Sequence, residues 1–512
     1  MSPSLHQWAI EQLAALKVPV TRLVMDSRSI SRGDTFVAYP GEKIDGRQFI
    51  AEAIAQGAAA VIYESNKFVW DPNWQVPNLA VNDLRHKAGW LADAVYGTPS
   101  KKMWVVGITG TNGKTSTSHW IAHALNDARK KCALIGTLGN GFLGGNGFAD
   151  ELQASANTTP DAIRVHGLLA EYLRDGAEAV AMEVSSHALS QGRVNAVRFD
   201  VAMLTNLSRD HLDYHGDMQS YADTKRKLFD WQQLGFVVLN LDDAYGVELA
   251  EQLSLQQDTD AEVVGYGLSD AALQLAERLG LRMVYGNLLE MTGQGLRMEV
   301  HSSWGAAQLN STLVGRFNAA NLLGALAVLL VSDIALSDAV QSLNKVQPVA
   351  GRMQRLGSAQ QPTVIVDYAH TPDALEKVLQ TLREMTAISG GNLICVFGCG
   401  GNRDSGKRPM MGKVAEDLAD SCIVTSDNPR DENPADIVAQ ITLGMTGKKH
   451  RVILDRAAAI HHAIAQAQPG DTVLIAGKGH EEYQEIGGVK HAFSDVQVAQ
   501  RALQHWPMEV SL

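Results

Sequence analysis

A strand that empties into a glycine loop and restarts as a helix constrains this chain more than any other stretch. The apolar run Met103 to Ile108 leads into Gly110, Thr111, Asn112, Gly113, Lys114 and Thr115, and Ser116 to Asp127 reads as a helix with apolar Trp120, Ile121 and Leu125. That order belongs to α/β sheets, and glycines let consecutive backbone N–H groups turn inward around phosphate oxygens. Lys114 then reaches the outer phosphates, and the Thr115 hydroxyl suits Mg²⁺. A nucleoside triphosphate is the expected ligand. The loop is a variant of GxxxxGK[ST], because Ile108 stands at the first glycine position and Gly107 lies one residue early.

With 512 residues the chain is long enough for about three domains. A net charge of −12 argues against a nucleic-acid partner, whose phosphates must be neutralised. Anionic small ligands must then be met by local arginines, lysines and backbone amides. Cys132, Cys395, Cys399 and Cys422 contain no CxxC pair and are too few for a disulfide framework. Cys395 and Cys399 read either as half a metal site or as two buried thiols. The opening MSPSLHQWAIEQL has no basic stretch before an unbroken apolar core, and the longest apolar run, Leu322 to Val331, is too short to span a bilayer. A cytoplasmic protein without a membrane span is expected, and a monomer.

From Thr21 to Glu64 the pattern gives strand, turn, strand, a helix over Phe49 to Gln56 and a strand over Ala59 to Tyr63: a small α/β unit. Pro99, Ser100, Lys101 and Lys102 mark a boundary before the phosphate-loop strand. The middle segment alternates strands and helices, as a largely parallel sheet requires. Within Ala177 to Val184 the run from Ala179 to Met182 is apolar until Glu183, which places a carboxylate at the strand edge where ligands of open α/β sheets sit. Strand Val201 to Leu204 ends in the polar cluster TNLSRDHLDYH. His211 and His215 have the i, i+4 spacing of a metal pair, but without an HExxH glutamate zinc is discounted. Ser220 to Trp231 reads as a helix on which Lys225, Arg226 and Lys227 make a solvated basic face. Asn318 and Asn321 can cap the next helix or bind the amide-like edge of a base.

A second boundary falls near Val346 to Pro348. Beyond it, strands Thr363 to Val366, Leu393 to Phe397, Ser421 to Thr425 and Val473 to Ala476 each finish in a charged or glycine-rich loop. The run Gly398 to Gly401 hints at a dinucleotide fold, yet its glycine pattern is incomplete and no ribose-binding acid is evident.

Taken in order, TGTNGKTS, MEVSSH, TNLSRDHLDYHG, YADTKRKLF, GRFNAAN, DYAHTPDAL, GCGGNRDSGKRP, SDNPR and AGKGHE resemble the Mur ligases of peptidoglycan synthesis, over nearly the whole chain. The resemblance implies three domains: a small N-terminal α/β domain over 1–99 that binds a UDP-sugar, a central doubly wound P-loop ATPase-like domain over 100–347, and a Rossmann-like C-terminal domain over 348–512 that binds an amino acid. It implies amide formation driven by ATP, through an acyl phosphate on a UDP-linked muramoyl dipeptide that the amine of meso-diaminopimelate attacks. A folate polyglutamate ligase shares the loop and this chemistry, but SDNPR and the full N-terminal unit speak against it. A nucleotide-binding switch without ligase activity is the rival of another class.

The resemblance also assigns roles. Lys114 and the amides from Gly110 to Gly113 cradle phosphates, with Thr115 and Ser116 beside them, and Thr115 and Glu183 hold a first Mg²⁺. His211 and Lys225 serve a second, Lys225 as a CO₂-derived carbamate, which reverses the surface reading of that lysine. Asn321 faces adenine, and Arg352 and Asp367 reach over from the third domain. The UDP-sugar contacts fall on Met25, Ser27, Glu42, Lys43, Ile44, Asn157, Thr158, Thr159, Ser185, Gln191 and Arg193. Diaminopimelate falls to Asp427, Asn428, Pro429 and Arg430, with Arg403, Gly477 and Glu481.

Overall fold

The structure, a computed structural model, describes residues 4–42, 44–144, 151–155, 157–255, 261–358, 360–447 and 450–506. Within the central unit, successive residues of a strand go to opposite cores. Val106 and Ile108 face one cluster and Val105 the other, while Ala179 and Ala181 part from Val180 and Met182 in the same way. A strand buried on both faces has no polar side, so it reads as an unbroken apolar run. Such runs carry the central sheet. Its spatial order is Gly305–Ser311, Gly295–Ser302, Arg282–Thr292, Glu262–Gly267, Phe236–Asn240, Val201–Leu204, Trp104–Thr109, Ala179–Glu183, Cys132–Gly136, Gly139–Phe142 and Glu151–Gln153. Pairing is parallel from Arg282–Thr292 to Cys132–Gly136, and antiparallel hairpins close both edges.

The order places the phosphate-loop strand Trp104–Thr109 between Val201–Leu204 and Ala179–Glu183. The polar ends of those three strands therefore share one crevice. Helix Arg316–Val331, buried along nearly its whole length, packs in the same core as helix Lys114–Asp127. It accounts for the long apolar run.

The N-terminal unit is a four-stranded parallel sheet, Leu23–Val24, Thr35–Ala38, Ala60–Glu64 and Asn78–Val81. Its helix spans Ile50–Ala55, shorter than the expected Phe49 to Gln56 because Gly46–Phe49 is a 3₁₀ turn capped by Asp45. In the C-terminal unit the order is Gln354–Leu356, Thr363–Asp367, Thr472–Ala476, Leu393–Phe397, Ser421–Val424 and His450–Val452, parallel except at the first edge. That is a doubly wound sheet with cores on both faces. A hairpin, Tyr483–Ile486 with Val489–Ala492, follows Thr472–Ala476, the last of these in chain order. Cys395 and Cys422 are cross-strand partners inside one core, and Cys399 packs there too, so the buried-thiol reading holds. Among the described residues no helix is long and apolar enough to cross a membrane.

Candidate active site

Gly110 has φ +140°, and a methyl there would lie 1.9 Å from Thr205 Oγ1, so only glycine lets the loop pack onto the neighbouring strand end. Thr205 Oγ1 donates to the Asn112 carbonyl (2.6 Å), while the amides of Thr111 and Asn112 donate to the Asn206 carbonyl (2.9 Å) and side-chain oxygen (3.0 Å). This narrows the expected phosphate cradle. Two of the amides assigned to it hold the loop to Asn206, which leaves, among the described residues, the amides of Gly110 and Gly113 and the first N–H groups of helix Lys114–Asp127, which have no intrahelical partner. Lys114 Nζ folds back onto the Gly110 and Thr111 carbonyls at 2.8 and 2.9 Å. Ser116 is buried in that first turn.

From Thr115 a line of hydrogen bonds runs across the strand ends. Its Oγ1 donates to Glu183 Oε2 at 3.0 Å, and it accepts from Arg352 Nη2 at 3.2 Å. Glu183 is fully buried and receives the Thr137 amide on Oε1 (2.8 Å) and the Thr137 hydroxyl on Oε2 (3.1 Å). Thr137 Oγ1 also lies 3.1 Å from Thr158 Oγ1. A hydroxyl and a carboxylate in contact are hard oxygen donors of the kind magnesium takes together with phosphate oxygens. Among the described residues no three His, Cys, Asp or Glu side chains converge into a ready-made cation cage.

Lys225 is 1 % exposed, at the end of helix Met218–Arg226, so its pattern-based reading as a solvated face is corrected. The helix stops short of the expected Trp231, and its last turn drives Lys225 inward, where Nζ donates to the Gly110 carbonyl at 2.9 Å above the Tyr221 ring. Burial, and then the nearby Lys114, pushes its ammonium well below the ordinary lysine range. Burial likewise lowers Lys114, against the pull of Glu183. His211 has φ +56° and is pushed down to about 3, chiefly by burial. Its Nε2 lies 3.3 Å from Asp210, whereas His215 Nε2 meets Ser186 Oγ at 2.9 Å, so the two imidazoles do not converge on one ion.

Asp210 joins the central and C-terminal units. Its oxygens lie 3.3 Å from Lys407 Nζ and 3.4 Å from His370 Nε2. Burial alone would raise this carboxyl, but Lys407, His211 and His370 outweigh it and hold it well below the usual range. Arg209 donates twice to Asp404 (3.0 and 3.2 Å), and Asn112 Nδ2 reaches Asp373 at 3.0 Å. Between the two units lies a cavity of about 370 Å³ lined by Asn112, Gly113, Ser116, Asn321, Arg352 and Asp367. Asn321 sits so close to Gly113 that a methyl there would be 2.7 Å from its Oδ1, whereas Asn318 bonds back to the Val314 carbonyl. Asp367 already accepts the Met353 and Ala369 amides at 2.7 and 2.8 Å, and Arg352 stacks over Tyr368.

At the other junction a cavity of about 220 Å³ is lined by Met25, Glu42, Asn157, Gln191 and Arg193, and one of about 1080 Å³ by Met25, Ser27 and Ile44. Gln191 Nε2 bonds Glu42, and Arg193 holds Gln191 Oε1 (2.7 and 2.9 Å) and the Thr159 carbonyl (2.9 Å). Thr159 Oγ1 accepts the Ser185 amide and donates to the Glu183 carbonyl, so these residues continue the line from Thr115. Lys43 lies outside the described residues.

In the C-terminal unit Asp427 and Asn428 are buried, and Asn428 Nδ2 donates to Glu481 at 2.8 Å. A side chain on Gly477 would strike Asp427 Oδ2, 2.4 Å away. Arg430, after Pro429, has φ +53° and gives Nε to Glu485 (3.1 Å) and Nη1 to the Gly401 carbonyl (2.8 Å). Arg403 is exposed, close enough to His187 to lower it.

Family models match in three consecutive pieces: the Mur ligase family catalytic domain over 19–96, the Mur ligase middle domain over 108–329, and the Mur ligase glutamate ligase domain over 351–479. A UDP-N-acetylmuramoyl-L-alanyl-D-glutamate–2,6-diaminopimelate ligase of Chromobacterium violaceum is 50% identical over 504 residues, 98% of either chain. The chain belongs to the Mur ligase family. A ligase of the same name from Neisseria meningitidis serogroup A is 46% identical over 500 residues, again 98% of each chain. A solved structure of another is 36% identical with a TM-score of 0.64, covering 95% of both chains.

The structure also brings several residues that sequence reasoning passed over into contact with the candidate site residues. Thr137 holds Glu183 but stands in an ordinary strand end, with no pattern to mark it. Lys478, fully buried, donates to Asn428 Oδ1 and to Glu481, both at 3.0 Å. It lies inside AGKGHE, where a lysine between two glycines after an apolar strand was signal enough. Asp210 and Lys407 also sit within quoted motifs, and only the fold brings them together.

Proposed function

We propose that this chain joins meso-2,6-diaminopimelate to the D-glutamate of UDP-N-acetylmuramoyl-L-alanyl-D-glutamate, converting ATP to ADP and phosphate, as a cytoplasmic monomer with functional units over 1–99, 100–347 and 348–512. The observation that carries this is the line Thr115, Glu183, Thr137 and Thr158, which links the cavity at the phosphate loop to the residues beside the second cavity. Two anions are brought together along it. The D-glutamate side-chain carboxylate is a poor electrophile, and transfer of the γ-phosphoryl group gives an acyl phosphate with a good leaving group. The diaminopimelate amine then attacks the carbonyl carbon, and phosphate departs.

For that chemistry the protein must hold and neutralise. Lys114 turns from the Gly110 and Thr111 carbonyls to the nucleotide, and the helix N-terminus supplies N–H donors. Arg352 brings a positive charge from the C-terminal unit to Thr115. Thr115 and Glu183 would hold one magnesium ion, and His211 with Lys225 another; the ions neutralise phosphate charge. An ammonium cannot ligate a cation, but a lysine held below its usual range presents a free amine, which adds CO₂ to give a carbamate and a proton. Burial of Lys225 supports that modification.

Arg430 reads the amino acid. Diaminopimelate carries a second carboxylate where lysine has none, and an arginine fork matches it. Asn428 and Glu481 hold the amino-acid head. A charge left unmatched in such a site costs about 2 kcal/mol or more, which gives roughly 30-fold discrimination. With ATP, the UDP-linked dipeptide and equal lysine and meso-diaminopimelate, the mass of the product decides: the diaminopimelate adduct is expected, and equal use of lysine refutes the reading.

A further inference from the structure

The hairpin Tyr483–Ile486 and Val489–Ala492 lies as a strap across Ser426 to Arg430. Gln484 Nε2 donates to the Asp427 carbonyl (2.6 Å) and to Ser426 Oγ (3.3 Å), and the Glu485 amide donates to Asn428 Oδ1 (2.9 Å). Both peptide groups of Arg430 are held as well: its amide donates to the Glu485 carbonyl at 3.0 Å, and its carbonyl accepts from Gly487 N at 2.7 Å. These bonds fix a non-glycine residue in the left-handed region, a conformation that persists only where the surroundings over-determine it.

The side chain is oriented from the same place. Glu485 Oε2 takes Nε, and the Gly401 carbonyl takes one hydrogen of Nη1. Gly400 leaves room for this, since a methyl there would sit 3.0 Å from Nη1. A guanidinium has five N–H donors. With one on Nε and one on Nη1 engaged, the remaining Nη1 hydrogen and both on Nη2 have no partner among the described residues. One Nη1 hydrogen and one Nη2 hydrogen lie side by side on the edge a carboxylate uses for two parallel bonds, and the second Nη2 hydrogen lies on the Nε side.

We propose that Glu485 is a positioning and specificity-determining residue: it anchors Arg430 by Nε so that the Nη1–Nη2 edge is presented, in advance, to the distal carboxylate of the incoming amino acid. This rests on the reading of Arg430 given above. Glu485 does not touch substrate; it acts through Arg430. Its carboxylate also offsets the arginine charge in the half-buried site, so that only a ligand able to make both bonds gains over solvent. Fixing one long side chain beforehand is worth about two- to tenfold in affinity.

The test compares Glu485→Ala, Glu485→Gln and Arg430→Ala in the full-length enzyme, by steady-state kinetics for diaminopimelate and for ATP. Glu485→Ala is expected to raise the KM for diaminopimelate about fivefold to tenfold, leaving kcat and the KM for ATP within about twofold, and to narrow the preference over lysine. Glu485→Gln keeps an acceptor for Nε and is expected to restore the KM for diaminopimelate. If Arg430→Ala raises that KM but Glu485→Ala does not, or if Glu485→Ala disturbs both substrates alike, the positioning role is overturned while Arg430 keeps its own. If Arg430→Ala itself leaves the KM for diaminopimelate unchanged, the reading of Arg430 fails and this inference with it.

Discussion

Asp210 and Lys407, 197 residues apart, meet at 3.3 Å with both side chains buried, and this contact holds the C-terminal unit against the strand ends that carry His211. Removing one member of a buried pair strands the other charge. Lys407→Met should therefore cost about 3 kcal/mol in denaturant unfolding and lower kcat/KM for both ATP and the amino acid, because the proposed site of each lies across or beside the seam. Unchanged unfolding and kinetics would remove the contact from the account.

The same carboxylate sets a pH dependence. Asp210 is held below 3.8 in the fold, so its contribution is complete above that value and is lost as pH falls through the lower, folded value. Wild type should lose stability below about pH 4 more steeply than Asp210→Asn, although the variant is the less stable at neutral pH. Parallel urea midpoints for the two proteins across the acid range would contradict this.

Glu183 sits between the Thr115 and Thr137 hydroxyls, and Glu183→Gln keeps its shape without its charge. Turnover should fall about 10²- to 10³-fold, with the magnesium dependence moved to higher concentration. A variant that turns over normally at low magnesium would argue that the carboxylate serves only to hold Thr137.

Lys225→Ala should be nearly inactive, with partial recovery by short carboxylic acids. In the wild type the sign with pH follows from the chemistry. CO₂ adds to the free amine and releases a proton, so depleting bicarbonate should reduce activity most at low pH and least at high pH. Activity indifferent to bicarbonate at every pH would exclude the carbamate.

Gly110→Ala should cost at least about tenfold in ATP affinity, because its φ and the nearness of Thr205 leave no room for a methyl without moving the loop. Isothermal titration with a non-hydrolysable ATP analogue measures it directly.

What could be read from the residues and what could not divide along physical lines. The strands Val201–Leu204 and Leu393–Phe397 were legible to the residue, because a strand buried on both faces is an apolar run with polar ends. Glu183 was legible because its charge breaks such a run at the edge where ligands collect. Lys225 was not: basic neighbours on one helix look the same whether the lysine faces water or the Gly110 carbonyl, and only the family resemblance corrected the pattern. Nor could the sequence show that Thr111 and Asn112 give their amides to Asn206, since that depends on which strand lies beside the loop. Glu485 and Asp210 act through partners many residues away, a relation carried by the fold.

The claim on which everything else depends is that ATP activates a carboxylate of the dipeptide before the amine arrives. The direct measurement uses UDP-linked dipeptide labelled with ¹⁸O in the D-glutamate side-chain carboxylate, and mass analysis of the phosphate released with diaminopimelate present. Passage through an acyl phosphate predicts one labelled oxygen in that phosphate, whereas unlabelled phosphate accompanying product would contradict the account.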